Sequence, residues 1–335
     1  MITISVCMII KNEAKVLKRC LDSIKDIVDE IIIVDTGSTD NSVEIALSYT
    51  DNVHYFKWID DFSAARNYSF SFATKDYIYC ADADEFLDEI NRNKFLELKE
   101  NLEKDTDIVQ MYYKNQLSYN TVYNFDRELR PKLYRRSRNF LFEGPVHEAV
   151  PVTDDLKVIT YEIDITHMPQ SLHSSRDFSI FLKHYASGGR IPDRLHTQYA
   201  RELFICGEKA DFLDAEKVFL ESVNDTTRDT NQFKEACCVL SHIAILTHNT
   251  DMLLKYGLKL IATEGCSEIC YDLGEYYYGK EDYNEAAIWY YNAAFEASPI
   301  LNIHYGTDYP IKALAKTYRT LGLTELAEEY ENYKI

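Results

Sequence analysis

Two aspartates, Asp82 and Asp84, close an apolar and aromatic run that begins at Tyr77. In an extended chain the i, i+2 spacing points both carboxylates to the same side. Paired hard oxygen donors at a strand end suit a divalent cation that also holds phosphates, as Mg²⁺ or Mn²⁺ does. Alone the pattern is weak, because most Asp-x-Asp pairs are solvated turn residues. Its surroundings carry the argument.

Residues 3–9 read as a buried strand that meets Lys11-Asn12-Glu13. From Glu13 to Ile27 the apolar positions Val16, Leu17, Cys20, Leu21, Ile24 and Ile27 have helical spacing. Ile31 to Val34 is a short β-branched run, as expected of a strand covered on both faces. It ends in the turn cluster Asp35-Thr36-Gly37-Ser38-Thr39-Asp40, and Asn41 and Glu44 have capping-box spacing at the start of the next helix. A third strand over Val53–Phe56, a helix over Phe62–Ala73 and a fourth strand over Asp76–Ala81 follow. Strands alternating with single helices predict a parallel sheet with helices on both faces. Such sheets bind ligands beyond the carboxyl ends of their strands, where Asn12-Glu13, Asp35-Thr36 and Asp82-x-Asp84 all fall.

Four segments together resemble family 2 glycosyltransferases of the GT-A fold, over roughly the first 170 residues. They are Ser5–Glu13, Ile33–Asp40, Asp61–Asn67 and Ala81–Glu85. The resemblance is specific for fold and donor class and much less so for sugar and acceptor, because one fold serves many substrates. Relatives with a helical-repeat tail include polysaccharide glucosyltransferases, protein glycosyltransferases and the peptide S-glycosyltransferases that modify bacteriocins.

The resemblance implies a site for a UDP-sugar and Mn²⁺ or Mg²⁺. It places Asp35 and Thr36 at the uracil or ribose, with the backbone up to Ile10 and the Glu13 carboxylate completing that pocket. Arg66 would reach the base or the diphosphate, and a guanidinium suits either. Asp82 and Ala83 would line the donor, Asp82 facing ribose and metal, and Asp84 would ligate the metal directly. Glu85 and Asp88 read as local charge or helix-start residues. His167, at the end of the last predicted strand, is a third metal-ligand candidate. The segment Phe142–Glu148 resembles the Gly-x-x-His-Glu element of the subgroup. Glu148 is the expected base for an inverting displacement, with Asp126, Glu128 and Glu143 as rivals. His147 is an acceptor-side candidate, with a core histidine as the alternative. Arg127, Arg130, Lys132, Arg135, Arg136 and Arg138 form a basic cluster, either a solvated edge or a patch that steers an anion.

The chain has 335 residues, enough for one large domain or two ordinary ones. With 46% hydrophobic and 27% charged residues it can bury a sizeable core. A net charge of −19 argues against a nucleic-acid backbone as partner. The sequence has no run of 18 apolar residues, so no integral membrane segment is expected, and its N-terminal strand meets Lys11-Asn12-Glu13 after ten residues, so no leader is expected either. The eight scattered cysteines read as buried thiols of a cytoplasmic protein, without a zinc-ligand pattern.

From about Ser174 helical patterns dominate. Glu275 to Pro299 resembles a tetratricopeptide repeat, with weaker copies around 207–216 and 318–327 and a degenerate helix pair near 233–262. The expected architecture is α/β: a GT-A, Rossmann-like nucleotide-sugar domain over 1–172, then an all-α repeat domain over 173–335. The repeats would bind acceptor, form a homodimer or support the catalytic domain. The leading reading is a metal-dependent, inverting transferase acting on Ser, Thr or Cys of a protein or peptide. Its alternatives are assembly of a cell-surface glycan on a lipid-linked acceptor and a non-catalytic repeat scaffold.

Overall fold

A computed structural model describes residues 1–114, 127–168, 174–262 and 265–334. The chain divides into two compact units, residues 1–173 and 174–335. The first is built on an eight-stranded sheet in the order β3-β2-β1-β4-β7-β6-β8-β5. Strands β1 (Ile4–Ile10), β2 (Glu30–Asp35), β3 (Val53–Tyr55) and β4 (Tyr77–Ala81) are mutually parallel. Their carboxyl ends therefore share one edge, with Ile10 opposite Asp35 and Met8 opposite Ala81.

Alternation along these strands sorts the core. Ile4, Val6, Met8, Tyr77 and Tyr79 face helices α1 (Leu17–Ile24) and α4 (Glu89–Asn101), whose Leu17, Leu21, Phe95 and Leu98 complete one core layer. Cys7, Ile78 and Cys80 face the other side, where Phe70 of α3 (Phe62–Phe70) packs. Burial on both faces accounts for the continuous apolar runs in the sequence. It also puts Asp82, two residues beyond Cys80, on the α3 side.

Helix α1 begins at Leu17, later than the apolar spacing predicts, because the Glu13 carbonyl is engaged in a turn with the N–H groups of Val16 and Leu17. Helix α2 (Ser42–Leu47) lacks the expected capping box, since Asn41 makes no side-chain cap bond. Asp40 serves instead, accepting from Ser42 N at 3.0 Å and from Ala14 N at 3.1 Å. Asp88 caps α4 through the N–H of Asn91.

The four strands read from the sequence are parallel, as is the pairing of β6 (Ile108–Lys114) with β8 (Val158–His167), but the sheet as a whole is mixed. Strand β7 (Arg127–Arg135) runs antiparallel to β4 and to β6, and β5 (Glu85–Phe86) runs antiparallel to β8. Strands β4 and β5 lie at the middle and the edge of the order. Four strand spacings would separate them by roughly 19 Å in a flat sheet. The chain from Ala81 to Glu85 reaches at most roughly 14 Å. The sheet must therefore curl, bringing its far edge back to the end of β4.

The second unit is helical throughout its described residues, from α5 (Ser174–Gly188) through α6 (Asp193–Cys206) and α7 (Lys209–Ser222). Helix α8 (Thr230–Thr247) packs on α9 (Thr250–Ile261), α10 (Ser267–Gly279) on α11 (Tyr283–Tyr291), and α12 (Asp308–Thr320) on α13 (Thr324–Glu331). The repeat-like stretches of the sequence fall on the turns between α6 and α7, α10 and α11, and α12 and α13. Small residues permit the closest approach. Gly274 of α10 lies against the buried ring of Tyr290, whose hydroxyl donates to Glu275. A Cβ on Gly274 would stand 2.5 Å from that ring. Gly274→Ala is expected to destabilise the protein by roughly 1–3 kcal/mol, as overpacking does. Thermal unfolding checks it, and an unchanged melting temperature would show that Tyr290 can yield.

Candidate active site

The edge formed by the ends of β1, β2 and β4 is fastened before any ligand arrives. Asn12, in a left-handed conformation with φ of 59°, accepts from Thr39 N at 2.7 Å. Ser42 Oγ accepts from Glu13 N at 2.7 Å. The Ile10 carbonyl accepts from both Thr36 N and Thr36 Oγ1. Asp35 is buried, and its carboxylate receives the N–H groups of Gly37 at 3.0 Å and Ser38 at 3.1 Å. Ile10, Glu13, Asp35 and Thr36 are thus brought together on one rigid corner, with Asp35 and Thr36 shaping the turn that carries them.

Arg66 extends from α3 to the end of β4. Its Nη2 donates to Asp82 Oδ1 at 2.6 Å, its Nε donates to Glu148 Oε1, and its Nη1 donates to Cys80 Sγ at 3.1 Å. Only 13% of the Arg66 side chain and 10% of Glu148 are exposed, so the three charges form one partly desolvated cluster. Burial opposes an ionised Asp82, but Arg66 and Lys132 outweigh it and hold the carboxyl well below the usual aspartate range. Burial likewise opposes charge on Arg66, and Asp82, Cys80 and Glu148 overcome it and raise its pKa further. Burial pushes the Cys80 thiol up to about 11.

Glu148 arrives from a distant loop that α3 holds in place. Asn67 clamps Phe142 with a pair of bonds, Nδ2 to the carbonyl at 3.0 Å and N–H to Oδ1 at 2.8 Å. Phe62 N donates to the Pro145 carbonyl at 2.8 Å, and Glu143 and Ala149 exchange main-chain bonds. Inside this loop Gly144 and His147 have φ of 100° and 48°. The left-handed backbone is costly at a histidine. Glu128 is engaged by Arg130 on β7, and Asp126 lies outside the described residues.

The two aspartates do not share a side, in contrast to the i, i+2 expectation. The chain turns at Ala83-Asp84, with Glu85 N donating to the Asp82 carbonyl at 3.1 Å, so the strand alternation no longer applies. Asp82 goes to Arg66, while Asp84 Oδ2 faces His167 Nε2 at 3.2 Å. Ala83 between them is buried in the core. Asp82 therefore does not join Asp84 and His167 in a common ligand group. Among the described residues, Cys238, Cys266 and Glu268 of the helical unit are the three potential ligands that converge within 4.8 Å. There the Glu268 carboxylate is already spent on the N–H groups of Ile300, Leu301 and Asn302.

Asp84 and His167 supply a carboxylate oxygen and an imidazole nitrogen 3.2 Å apart, donor types that fit a divalent cation. The main chain fixes both: Met168 N donates to the Asp84 carbonyl at 3.0 Å, and Arg19 Nη2 reaches the carbonyls of Asp84 and Met168. His167 also lies against Tyr113, with ring centroids 5.1 Å apart.

The basic cluster disperses in space. Arg127 pairs with Glu162 and Asp164, Arg130 with Glu128, and Arg135 and Arg138 with Asp107, while Arg136 donates to the Lys75 carbonyl. Lys132 turns inward to Glu85, and both are buried. The pair escapes a reading of the sequence because 47 positions separate its members, and Glu85 shows only that it follows Asp84. Cys80 is a second such residue, visible in the sequence only as the end of an apolar strand.

Residues 5–153 match the model of glycosyl transferase family 2. A TPR repeat-containing protein of Synechococcus elongatus is 37% identical over 150 residues, covering 45% of this chain and 36% of its own length. The SPbeta prophage-derived glycosyltransferase SunS of Bacillus subtilis is 28% identical over 279 residues, 78% of this chain and 63% of that protein. The chain thus spans less than two thirds of either relative. The crystal structure of glucosyl-3-phosphoglycerate synthase from Mycobacterium tuberculosis, in complex with Mn²⁺, UDP-glucose and phosphoglyceric acid, aligns at a TM-score of 0.42 and 17% identity. That alignment covers 57% of this chain and 81% of the synthase.

The Arg66–Asp82 contact has a pH signature. A depressed carboxyl contributes stability that is complete above the ordinary aspartate pKa of about 3.9 and is lost as pH falls through the folded value. Urea unfolding at pH 5 and pH 3 is expected to show a smaller acid loss in Asp82→Asn than in the wild type. Equal losses would show that Asp82 is not held ionised below the usual aspartate range.

Proposed function

Because residues 5–153 carry a family 2 glycosyltransferase domain, we propose that this chain transfers a sugar, with inversion, from a UDP-sugar to a Ser, Thr or Cys side chain of a protein or peptide. The observation that supports it most is the single guanidinium of Arg66 held between Asp82 and Glu148 where parallel strands end, beside the facing Asp84 and His167. This edge is where parallel α/β sheets receive nucleotides.

In this reading the corner of Ile10, Glu13, Asp35 and Thr36 receives the nucleoside. Asp82 and Ala83 border the ribose. Arg66 offers the diphosphate a preformed planar donor, and phosphate competes with both carboxylates for it. Drawing Arg66 toward the donor releases Glu148 to accept the proton of the attacking hydroxyl or thiol. His147, on the same strained loop, orients the acceptor. Asp84 and His167 would hold Mn²⁺ or Mg²⁺, and the imidazole favours Mn²⁺. A bound cation supplies Lewis-acid neutralisation of the departing diphosphate. A macromolecular acceptor suits a chain whose second half is stacked helices, an architecture that offers extended binding surfaces. Among the described residues no helix is long and apolar enough to cross a membrane.

A panel of UDP- and GDP-sugars, assayed for slow hydrolysis with and without Mn²⁺, is expected to give metal-dependent consumption of one UDP-sugar. Asp84→Ala is expected to abolish that consumption with an unchanged circular dichroism spectrum. Full activity in this variant would sink the metal assignment. Glu148→Gln should keep donor affinity and lose about 10²–10⁴-fold in transfer, the usual contribution of a general base. An unchanged kcat would place the base elsewhere.

A further inference from the structure

Lys132 and Glu85 form a charged pair in the interior of the first unit, where unpaired charges are heavily penalised. Their side chains are 6% and 2% exposed. A hydrophobic pair of similar volume commonly serves stability as well or better. The ion pair is therefore weak evidence for a stability role, and its geometry indicates what else it does.

Lys132 projects from β7, next to β4, and its Nζ also donates to the Cys80 carbonyl at 3.3 Å, two residues before Asp82. Glu85 lies on β5, at the opposite edge of the sheet, where it is in register with His167 of β8. Between these two anchor points runs the turn of Asp82, Ala83 and Asp84. The ammonium thus ties the strand before the turn to the strand after it. The same Nζ lies 5.1 Å from the centroid of the Tyr113 ring, whose ring also borders His167. Lys132 therefore reaches the Asp84–His167 pair through the β5 register and through the shared aromatic ring. Neither Lys132 nor Glu85 makes a hydrogen bond to the Asp84 or His167 side chain among the described contacts.

We propose that Lys132 and Glu85 are positioning residues that close the curled sheet across the Asp82–Asp84 turn and so set Asp84 and His167 at ligand distance for a divalent cation. This rests on the reading of that pair as the metal site. The tether acts on the cation and leaves the nucleoside corner at Asp35 and Thr36 alone, because that corner is fastened by its own bonds to β1.

The test compares wild type with Lys132→Arg, Lys132→Met and the double variant Glu85→Leu/Lys132→Met, which removes both charges and so avoids leaving one buried alone. Mn²⁺ binding is read by the electron paramagnetic resonance of free Mn²⁺, and UDP binding by calorimetry with and without Mn²⁺. The expected result is a loss of Mn²⁺ affinity of about 10–100-fold in the double variant, the range typical of residues that orient metal ligands. Metal-free UDP affinity should fall far less than Mn²⁺ affinity, because Asp35 and Thr36 keep their own bonds to β1 while only Asp82 at the ribose feels the loss, and Lys132→Arg should keep most of the Mn²⁺ affinity. A purely structural role predicts a parallel loss of both affinities, or of neither, and either outcome would overturn the proposal. If the wild-type protein itself binds no Mn²⁺ in the presence of UDP, the metal-site reading fails and the positioning role with it. Wild-type Mn²⁺ affinity in the double variant would remove the positioning role alone.

Discussion

One guanidinium organises the strand-end edge of the first unit. Arg66 is the shared partner of Asp82, on the β4 side, and of Glu148, on a loop 82 positions away in sequence. Without it two carboxylates would face each other in a partly desolvated space, at a Coulombic cost that water could screen only in part. The demand propagates outward. Asp61 caps α3, Asn67 clamps the Phe142 strand-like segment, and Phe62 holds the Pro145 carbonyl, so the helix that carries Arg66 also fixes the loop that carries Glu148. Charge and scaffold are the same set of residues.

The second constraint is geometric. Three residues must connect the centre of the sheet to its far edge, and the sheet curls to allow it. Curling has a chemical consequence: the turn sends Asp82 and Asp84 in different directions, one to a cation of the protein and the other to an imidazole. A single Asp-x-Asp element thereby meets two separate partners, Arg66 and His167. A regular strand would have kept both carboxylates together on the α3 side.

The charges of β7 show how strongly pairing reshapes a patch. Its basic residues and those of the turn after it look like one basic surface in sequence, yet each meets an acid or a carbonyl, Arg135 and Arg138 sharing Asp107. Little of this positive charge is left to act collectively at a distance. In the helical unit the equivalent lesson concerns acids, since Glu268 satisfies three successive backbone N–H groups and serves as a loop anchor.

The sequence alone determined what short-range periodicity and turn chemistry can carry. The strands β1 to β4, the helical second half, and the placing of Asn12-Glu13, Asp35-Thr36 and Asp82 at strand ends were legible, because hydrophobic alternation and Gly/Asp/Ser clusters are local signals. So was the end of the last strand at His167. Helix starts were less legible: the backbone at Glu13 and the Asp40 carboxylate took roles that spacing assigned elsewhere. The tertiary structure alone decided the antiparallel strands β7 and β5, the divergence of Asp82 from Asp84, the sharing of Arg66 and the burial of Lys132 against Glu85. Each of these depends on groups between three and 82 positions apart whose meeting is set by the curl of the sheet. Periodicity records which face a residue presents, but it carries no record of which distant charge waits there.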